Sequence, residues 1–314
     1  MILSVSRRTD IPNYYPEWFI NRVREGYFYV RNPMNAHQIS KIPITPDIVD
    51  CIVFWTKNPK NMLPYLDEIK EYKYYFQYTI TGYGKGVERG VPDKKREVIP
   101  TFIELSEKIG REKVIWRYDP ILVTDKYTLK YHVKAFSSIA EQLRGYTEKV
   151  VISFVDLYDK TKRNTKELNM KQMTYEDMRF IATEMADIAC KNGFKIESCA
   201  ENIDLQNVGI KHGSCIDSKL ISKIIGCKID VAKDKNQRQE CGCVESVEVG
   251  TYNTCKNGCR YCYANYNDAK VEANSSLYDP NSPLLCGNIN PDDKITERKV
   301  KSLKRTQLDF WDYL

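Results

Sequence analysis

Apolar or β-branched runs alternate with amphipathic stretches along most of this 314-residue chain. The runs lie at 2–6, 51–56, 74–81, 113–117, 149–154, 194–199 and 244–249. The amphipathic stretches lie at 17–25, 94–109, 129–143 and 175–192. Strands that alternate with helices form parallel βαβ units. Because no Gly-x-Gly-x-x-Gly turn follows a strand, a dinucleotide fold has no support. We predict an α/β fold with a TIM-like (β/α) barrel, complete or partial.

Three cysteines stand close together near the C-terminal end. Cys255, Cys259 and Cys262 follow a C-x3-C-x2-C spacing within residues 255–265, here called the cysteine loop. Three thiolates on one loop can hold three irons of a cubic iron–sulfur cluster and leave the fourth iron open. A catalytic metal site likewise keeps one position open, whereas a structural zinc takes a fourth protein ligand. The alternatives are a zinc site and a purely structural thiol loop.

Cysteine usage supports metal chemistry in a reducing compartment. Eight of the eleven cysteines fall between Cys199 and Cys262, counting both ends. The N-terminus lacks the layout of a signal peptide, and no apolar run approaches the ~20 residues of a membrane span. We therefore expect a cytoplasmic protein without a membrane partner. In that compartment cysteines serve metal or redox chemistry more often than disulfides.

The cysteine loop resembles the signature of the radical S-adenosylmethionine enzymes. An aromatic residue precedes the third cysteine in that family, and Tyr261 occupies this position. The resemblance implies a 4Fe–4S cluster whose open iron is chelated by S-adenosylmethionine. It also implies one-electron cleavage to a 5′-deoxyadenosyl radical, with an electron donor such as flavodoxin or ferredoxin.

The position of the motif is unusual for that family, in which it follows the first barrel strand. This chain resembles an uncharacterised bacterial group that carries the motif C-terminally and is related to spore photoproduct lyase. The barrel is either circularly permuted or extended by an appended cluster segment. We predict barrel units in 1–200 and a cysteine-containing insertion or auxiliary metal segment in 201–245. Residues 246–314 would hold the cluster-bearing strand and loop, with a C-terminal extension whose aromatic end docks on the barrel.

Polar residues follow nearly every apolar run, where a barrel places its chemistry. The family's cofactor contacts come from such strand ends, so the resemblance assigns Arg7, Lys57 and Ser153, together with Tyr261, to cofactor binding. The segment 116–120 resembles an Arg-x-Asp-Pro segment of the spore photoproduct lyase-like branch, which assigns Arg117 and Asp119 to catalysis. Arg117 can hold a carboxylate or a phosphate bidentately. Salt bridges without a catalytic role are the alternative.

A second cysteine set precedes the cysteine loop. Its members are Cys199, Cys215, Cys241 and Cys243, which we call the second cysteine set. One interpretation is an auxiliary, fully ligated 4Fe–4S cluster. A structural zinc and free core thiols remain open, because spacing in the sequence does not separate zinc from iron.

The resemblance favours a lyase that acts on a small base-derived molecule, with queuine or another 7-deazaguanine as the candidate. The net charge of +6 is modest and spread along the chain. Duplex DNA binding requires a basic stripe, so a small molecule is favoured, although nucleic acid is not excluded. The alternatives are a radical methyltransferase or peptide-modifying enzyme, and a non-catalytic iron–sulfur or zinc protein that binds nucleic acid.

Overall fold

The computed structural model describes residues 1–156 and 159–305. Residues 306–314, with the aromatic end of the predicted extension, lie outside this range. The strands are β1 (Ile2–Val5), β2 (Tyr27–Arg31), β3 (Gln38–Pro43), β4 (Cys51–Thr56), β5 (Tyr74–Thr79), β6 (Val114–Ile121), β7 (Lys149–Phe154), β8 (Lys195–Ser198), β9 (Lys211–His212), β10 (Val247–Glu248) and β11 (Lys294–Glu297). The α-helices are α1 (Ile11–Tyr14), α2 (Pro16–Glu25), α3 (Ile99–Ile109), α4 (Leu129–Leu143), α5 (Asp159–Thr165), α6 (Tyr175–Lys191), α7 (Ser218–Ile225) and α8 (Asp268–Ser275).

Eight strands form one parallel sheet in the order β10-β1-β4-β5-β6-β7-β8-β9. Every predicted apolar run contributes a strand to it, and the four predicted amphipathic stretches contain α2, α3, α4 and α6. The predicted α/β class with a parallel sheet is therefore confirmed. Closure of this sheet into a barrel stays a prediction.

The sheet separates two sets of apolar side chains, because successive residues of a strand point to opposite faces. On one face, Phe54 packs edge-on against Phe19 of α2, with ring centroids 5.4 Å apart. Trp116 stacks on Phe136 of α4 at 4.7 Å on the same face. The other face buries Val53 and Ile115 against α7 and the segment before β10. Helices α2, α3, α4 and α6 thus cover one face, and α7 with residues 215–216 and 241–244 covers the other.

The strand that precedes the cysteine loop belongs to this same sheet. Strand β10 pairs in parallel with β1, with Leu3 opposite Val247 and Ser4 opposite Glu248. This pairing places the cysteine loop beside the segment that follows β1.

A smaller sheet in the order β11-β3-β2 was not predicted. Strand β11 is exposed along its whole length, so it carries no alternation of apolar and polar residues. Strands β2 and β3 pair in an antiparallel manner around a polar connection. In the described part of the chain, no helix combines the length and apolarity that crossing a membrane requires.

Candidate functional site

A cavity of about 910 Å³ opens at the carboxyl ends of the parallel strands. Parallel strands end on the same edge of a sheet, so residues distant in sequence meet there. Every residue predicted for the site lines this one cavity: Arg7, Lys57, Arg117, Asp119, Ser153, Cys199, Cys215, Cys241, Cys243, Cys255, Cys259, Tyr261 and Cys262.

Hydrogen bonds from three parts of the chain hold the cysteine loop in place. The carboxylate of Asp10, after β1, accepts a 2.8 Å hydrogen bond from the Asn257 side-chain amide. The Gly90 N–H donates to the Asn257 carbonyl at 2.8 Å. Tyr15 Oη donates to the carbonyl of Thr254, just before the loop, at 2.6 Å. The three loop cysteines are half-buried and face the cavity from this fixed backbone.

Burial governs the protonation of these thiols. Burial raises the pKa of the Cys255 thiol to about 12. Burial also raises the pKa of the Cys259 thiol well above its ordinary value, although the positive charge of Lys57 acts to lower it. Without a bound cation the two thiols are therefore neutral at pH 7. A metal that binds them must displace their protons.

A buried ion-pair network lies directly behind the cysteine loop. Lys57 Nζ lies 2.8 Å from Glu88 Oε1 and 2.8 Å from Tyr261 Oη. Tyr261 also donates a short hydrogen bond to Glu88. Lys94 Nζ contacts the other oxygen of Glu88 at 2.5 Å. The Glu88 side chain is only 1% exposed.

The two lysines determine the charge of Glu88. Burial acts to raise the pKa of this carboxyl, but Lys57 and Lys94 outweigh it and lower the pKa to about 2. Two cations against one carboxylate leave the network with a net positive charge beside Cys259. Glu88 and Lys94 were not predicted for the site, because neither residue follows the end of β5 directly in the sequence. The one available signal was a charged residue within the loop after β5.

The predicted pair Arg117 and Asp119 meets in a bidentate ion pair. Arg117 Nε and Nη2 donate to the two Asp119 oxygens at 2.9 and 2.7 Å. Arg117 Nη1 also lies 2.6 Å from the Cys215 Sγ. Ser153 Oγ contacts Asp119 at 3.3 Å. The fork of this guanidinium is therefore engaged by Asp119 rather than open to a substrate carboxylate.

Arg7 is anchored to the last strand of the sheet. Its backbone N–H and its Nε donate to the two oxygens of Glu248 at 2.7 and 3.1 Å. Ser6 Oγ donates to Glu248 at 2.6 Å. Asp234 lies 3.8 Å from the same guanidinium. Part of the Arg7 side chain remains exposed on the cavity wall.

The sulfurs of the second cysteine set contact one another in pairs. Cys199 Sγ lies 3.0 Å from Cys215 Sγ, and the Cys243 thiol interacts with those of Cys215 and Cys241. Backbone N–H of Ile216 donates to Cys243 Sγ at 3.3 Å. Cys215, Cys241 and Cys243 are buried, and Cys199 is half-buried.

One other group of possible ligands lies outside the cavity. Within residues 1–156 and 159–305, one group of three His, Cys, Asp or Glu side chains has ligand atoms that all lie within 4.8 Å of one another. The group is His37, Asp292 and Asp293. This group is exposed, and Arg31 already pairs with Asp293 at 2.7 Å. His37 pairs with Asp292 at 3.0 Å and does not line the cavity.

Comparison with known proteins identifies a family and no curated relative. No curated protein matches this sequence. A crystal structure of a "putative alpha-L-fucosidase" from Bacteroides thetaiotaomicron VPI-5482 shares 12% identity, with a TM-score of 0.26. The match covers 50% of this chain and 66% of that chain, just under two thirds, and this TM-score supports no conclusion. Residues 2–264, which include the three loop cysteines, match the domain of unknown function DUF1848, so the chain belongs to the DUF1848 family.

Proposed function

We propose that this protein is a radical S-adenosylmethionine enzyme whose 4Fe–4S cluster is held by Cys255, Cys259 and Cys262. One observation carries the proposal: the three thiols open onto the same cavity as the charged residues of the strand ends. The proposal includes a TIM-like arrangement of the sheet and a cytoplasmic location.

The ligand count of the cysteine loop suits a cluster better than a single zinc ion. A structural zinc takes four protein ligands, and the loop offers three cysteines, Cys255, Cys259 and Cys262. In a cubic cluster three thiolates can bind three irons and leave the fourth iron open.

The surroundings of the loop suit an anionic group. Three thiolates on a cubic cluster carry more negative charge than its iron–sulfide core offsets. The network of Lys57, Lys94 and Glu88 places a net positive charge beside Cys259. Opposite charges at low local dielectric attract strongly, so this network favours a loaded site.

The residues of the chain have separate roles in this proposal. When bound, the cluster and S-adenosylmethionine supply one-electron cleavage and the radical that abstracts hydrogen from substrate. Arg7, positioned by Glu248, offers its partly exposed guanidinium to the cofactor carboxylate. Tyr261 and Lys57 keep the loop in place through Glu88. Arg117 positions Asp119, whose carboxylate faces the cavity.

The cavity suits a flat, amine-bearing molecule, for which queuine is the concrete candidate and a lyase the expected reaction type. Its volume of about 910 Å³ lies within the usual range for small-molecule sites. Trp55 and Tyr252 supply aromatic surface on its wall. Asp119 and Asp156 also line it and can accept hydrogen bonds from an amine or from the amino edge of a deazaguanine.

The proposed reaction requires an electron donor of the flavodoxin or ferredoxin type. A second cavity of about 270 Å³ also reaches Cys259. Its basic side chains Arg89 and Arg260 are paired with Asp268 and Glu167 of the same wall, so this cavity offers a donor a route to the loop but no net positive charge.

The test is anaerobic reconstitution followed by reduction in the presence of S-adenosylmethionine. We expect 5′-deoxyadenosine to form, at a higher rate when a 7-deazaguanine such as queuine is added. The variant in which Cys255, Cys259 and Cys262 are all alanine is the control and should form none. Equal rates with and without deazapurines would reject the substrate class, and absence of cleavage in the iron-loaded protein would reject the enzyme.

A further inference from the structure

The second cysteine set lies where the segment that follows β9 meets the segment that precedes β10. The edge strands are β9 and β10. Cys199 follows β8 directly, Cys215 follows β9 by three residues, and Cys241 and Cys243 precede β10. Side chains and backbone join these segments: Ser214 Oγ donates to the Gly242 carbonyl at 2.8 Å, and Val244 N–H donates to the Ile216 carbonyl at 3.2 Å.

The sulfur contacts of this set are short. Cys199 and Cys215 are 3.0 Å apart, and Cys243 interacts with thiols on either side of it. The four sulfurs form an open chain, since no three of them lie mutually within 4.8 Å in the described structure. Tetrahedral zinc places all its sulfurs about 3.8 Å apart, so the contacting pairs change little while the sulfurs that are not in contact move closer. A cubic cluster would instead force each of the short contacts apart.

The environment of the four thiols supports a metal rather than ordinary core packing. Arg117 directs a guanidinium N–H at Cys215 Sγ over 2.6 Å. The backbone N–H of Ile216 points at Cys243 Sγ over 3.3 Å. Hydrogen bonds and a cation of this kind stabilise metal-bound thiolates. Four thiolates on one zinc ion carry two excess negative charges, which Arg117 partly offsets.

We propose that Cys199, Cys215, Cys241 and Cys243 bind one zinc ion that joins the segments after β8 and β9 to the segment before β10. Binding displaces the protons of the thiols to solvent and forms four Zn–S bonds, with no change of oxidation state. The site has four protein ligands and no open position, which is the arrangement of a structural zinc. The ion cross-links segments that are far apart in the sequence and that side-chain and backbone hydrogen bonds already bring together. Spacing in the sequence does not separate zinc from iron, and the short sulfur contacts favour zinc.

The deciding experiment removes the first site and leaves the second intact. The Cys255→Ala, Cys259→Ala, Cys262→Ala variant is purified anaerobically, its metals are counted, and its zinc K-edge absorption is recorded. We expect one zinc per chain, little iron, and four sulfurs at about 2.3 Å from zinc. About four irons per chain in this variant would overturn the proposal in favour of a second cluster. A metal-free, folded variant would overturn it in favour of free thiols.

A matched pair of single variants tests the ligand assignment. Cys241→Ser should lose the zinc and unfold at a lower temperature. Cys227 is a half-buried thiol of the same segment that does not belong to the set. Cys227→Ser should therefore keep the zinc and the unfolding temperature of the wild type. Retention of zinc by Cys241→Ser would also contradict the proposal. If Cys241→Ser does not fold, the zinc absorption of the Cys255→Ala, Cys259→Ala, Cys262→Ala variant still decides whether the second cysteine set binds zinc. These measurements do not depend on cofactor cleavage, so their outcome is separate from that of the proposed enzyme activity.

Discussion

The Asn257 side chain donates a 2.8 Å hydrogen bond to the Asp10 carboxylate across 247 positions of sequence. The same carboxylate accepts the backbone N–H of Lys57 at 2.8 Å and that of Asn13 at 3.2 Å. Asp10 is 4% exposed. One buried carboxylate therefore ties the cysteine loop to the ends of β1 and β4.

Substitution Asp10→Ala should destabilise the fold and lower iron binding. It leaves three donors without their acceptor, and we expect a loss of about 3 kcal/mol in the free energy of unfolding. Urea unfolding and the iron count after reconstitution measure the two effects. Asp47→Ala, at an exposed position, is the control and should change neither. Full iron binding by Asp10→Ala would contradict the role of Asp10 in holding the loop.

Gly90 should not tolerate a side chain. A Cβ there would lie 2.2 Å from the Lys256 carbonyl oxygen and 3.0 Å from Asn257, so the cysteine loop would have to move. We expect Gly90→Ala to cost about 1–3 kcal/mol, as overpacking usually does, and to reduce the iron content. Gly86→Ala, in the same loop, meets nothing within 4 Å and should lie within about 0.5 kcal/mol of the wild type. Equal unfolding free energies and iron contents of the two variants would show that the cysteine loop does not depend on its close approach to Gly90.

Glu88→Gln should remove the charge that holds Lys57 and Lys94 together. Breaking one partner of a buried ion pair costs about 3–5 kcal/mol, and we expect a loss of that order at pH 7. The pKa of Glu88 falls from its ordinary 4.5 to about 2 on folding. Its contribution is therefore fully present above pH 4.5 and is lost as the pH falls towards 2.

The difference in unfolding free energy between wild type and Glu88→Gln should accordingly shrink over that pH window. Denaturant titrations at several pH values measure it. Glu107→Gln on the exposed face of α3 is the control and should show no such convergence. A constant difference from pH 7 to pH 3 would contradict the charged network.

Arg117 contacts one residue of each proposed site, Asp119 of the enzyme site and Cys215 of the zinc site. Because it contacts both Asp119 and Cys215 Sγ, Arg117→Met should weaken zinc binding by about 10–100-fold, as loss of a residue behind a metal ligand commonly does. Competition with a chelator measures the zinc affinity, and 5′-deoxyadenosine formation measures activity. Unchanged zinc affinity with lost activity would restrict Arg117 to positioning Asp119.

Much of the fold was predictable from local patterns. The seven apolar runs and four amphipathic stretches correspond to strands of one parallel sheet and to helices, because side-chain periodicity is encoded residue by residue. The exposed strand β11 has no such pattern, and its pairing with β3 comes only from the folded chain.

The cysteines and the strand-end residues were identifiable from the sequence, since residue type and spacing determine which atoms are available for chemistry. Only the tertiary structure brought Glu88 to Lys57 and Tyr261, and Asn257 to Asp10, because these contacts join segments that the sequence separates by tens to hundreds of residues. The tertiary structure also decided the distances between sulfurs. Those distances depend on how β8, β9 and β10 are placed in the sheet, and no spacing along the chain encodes them.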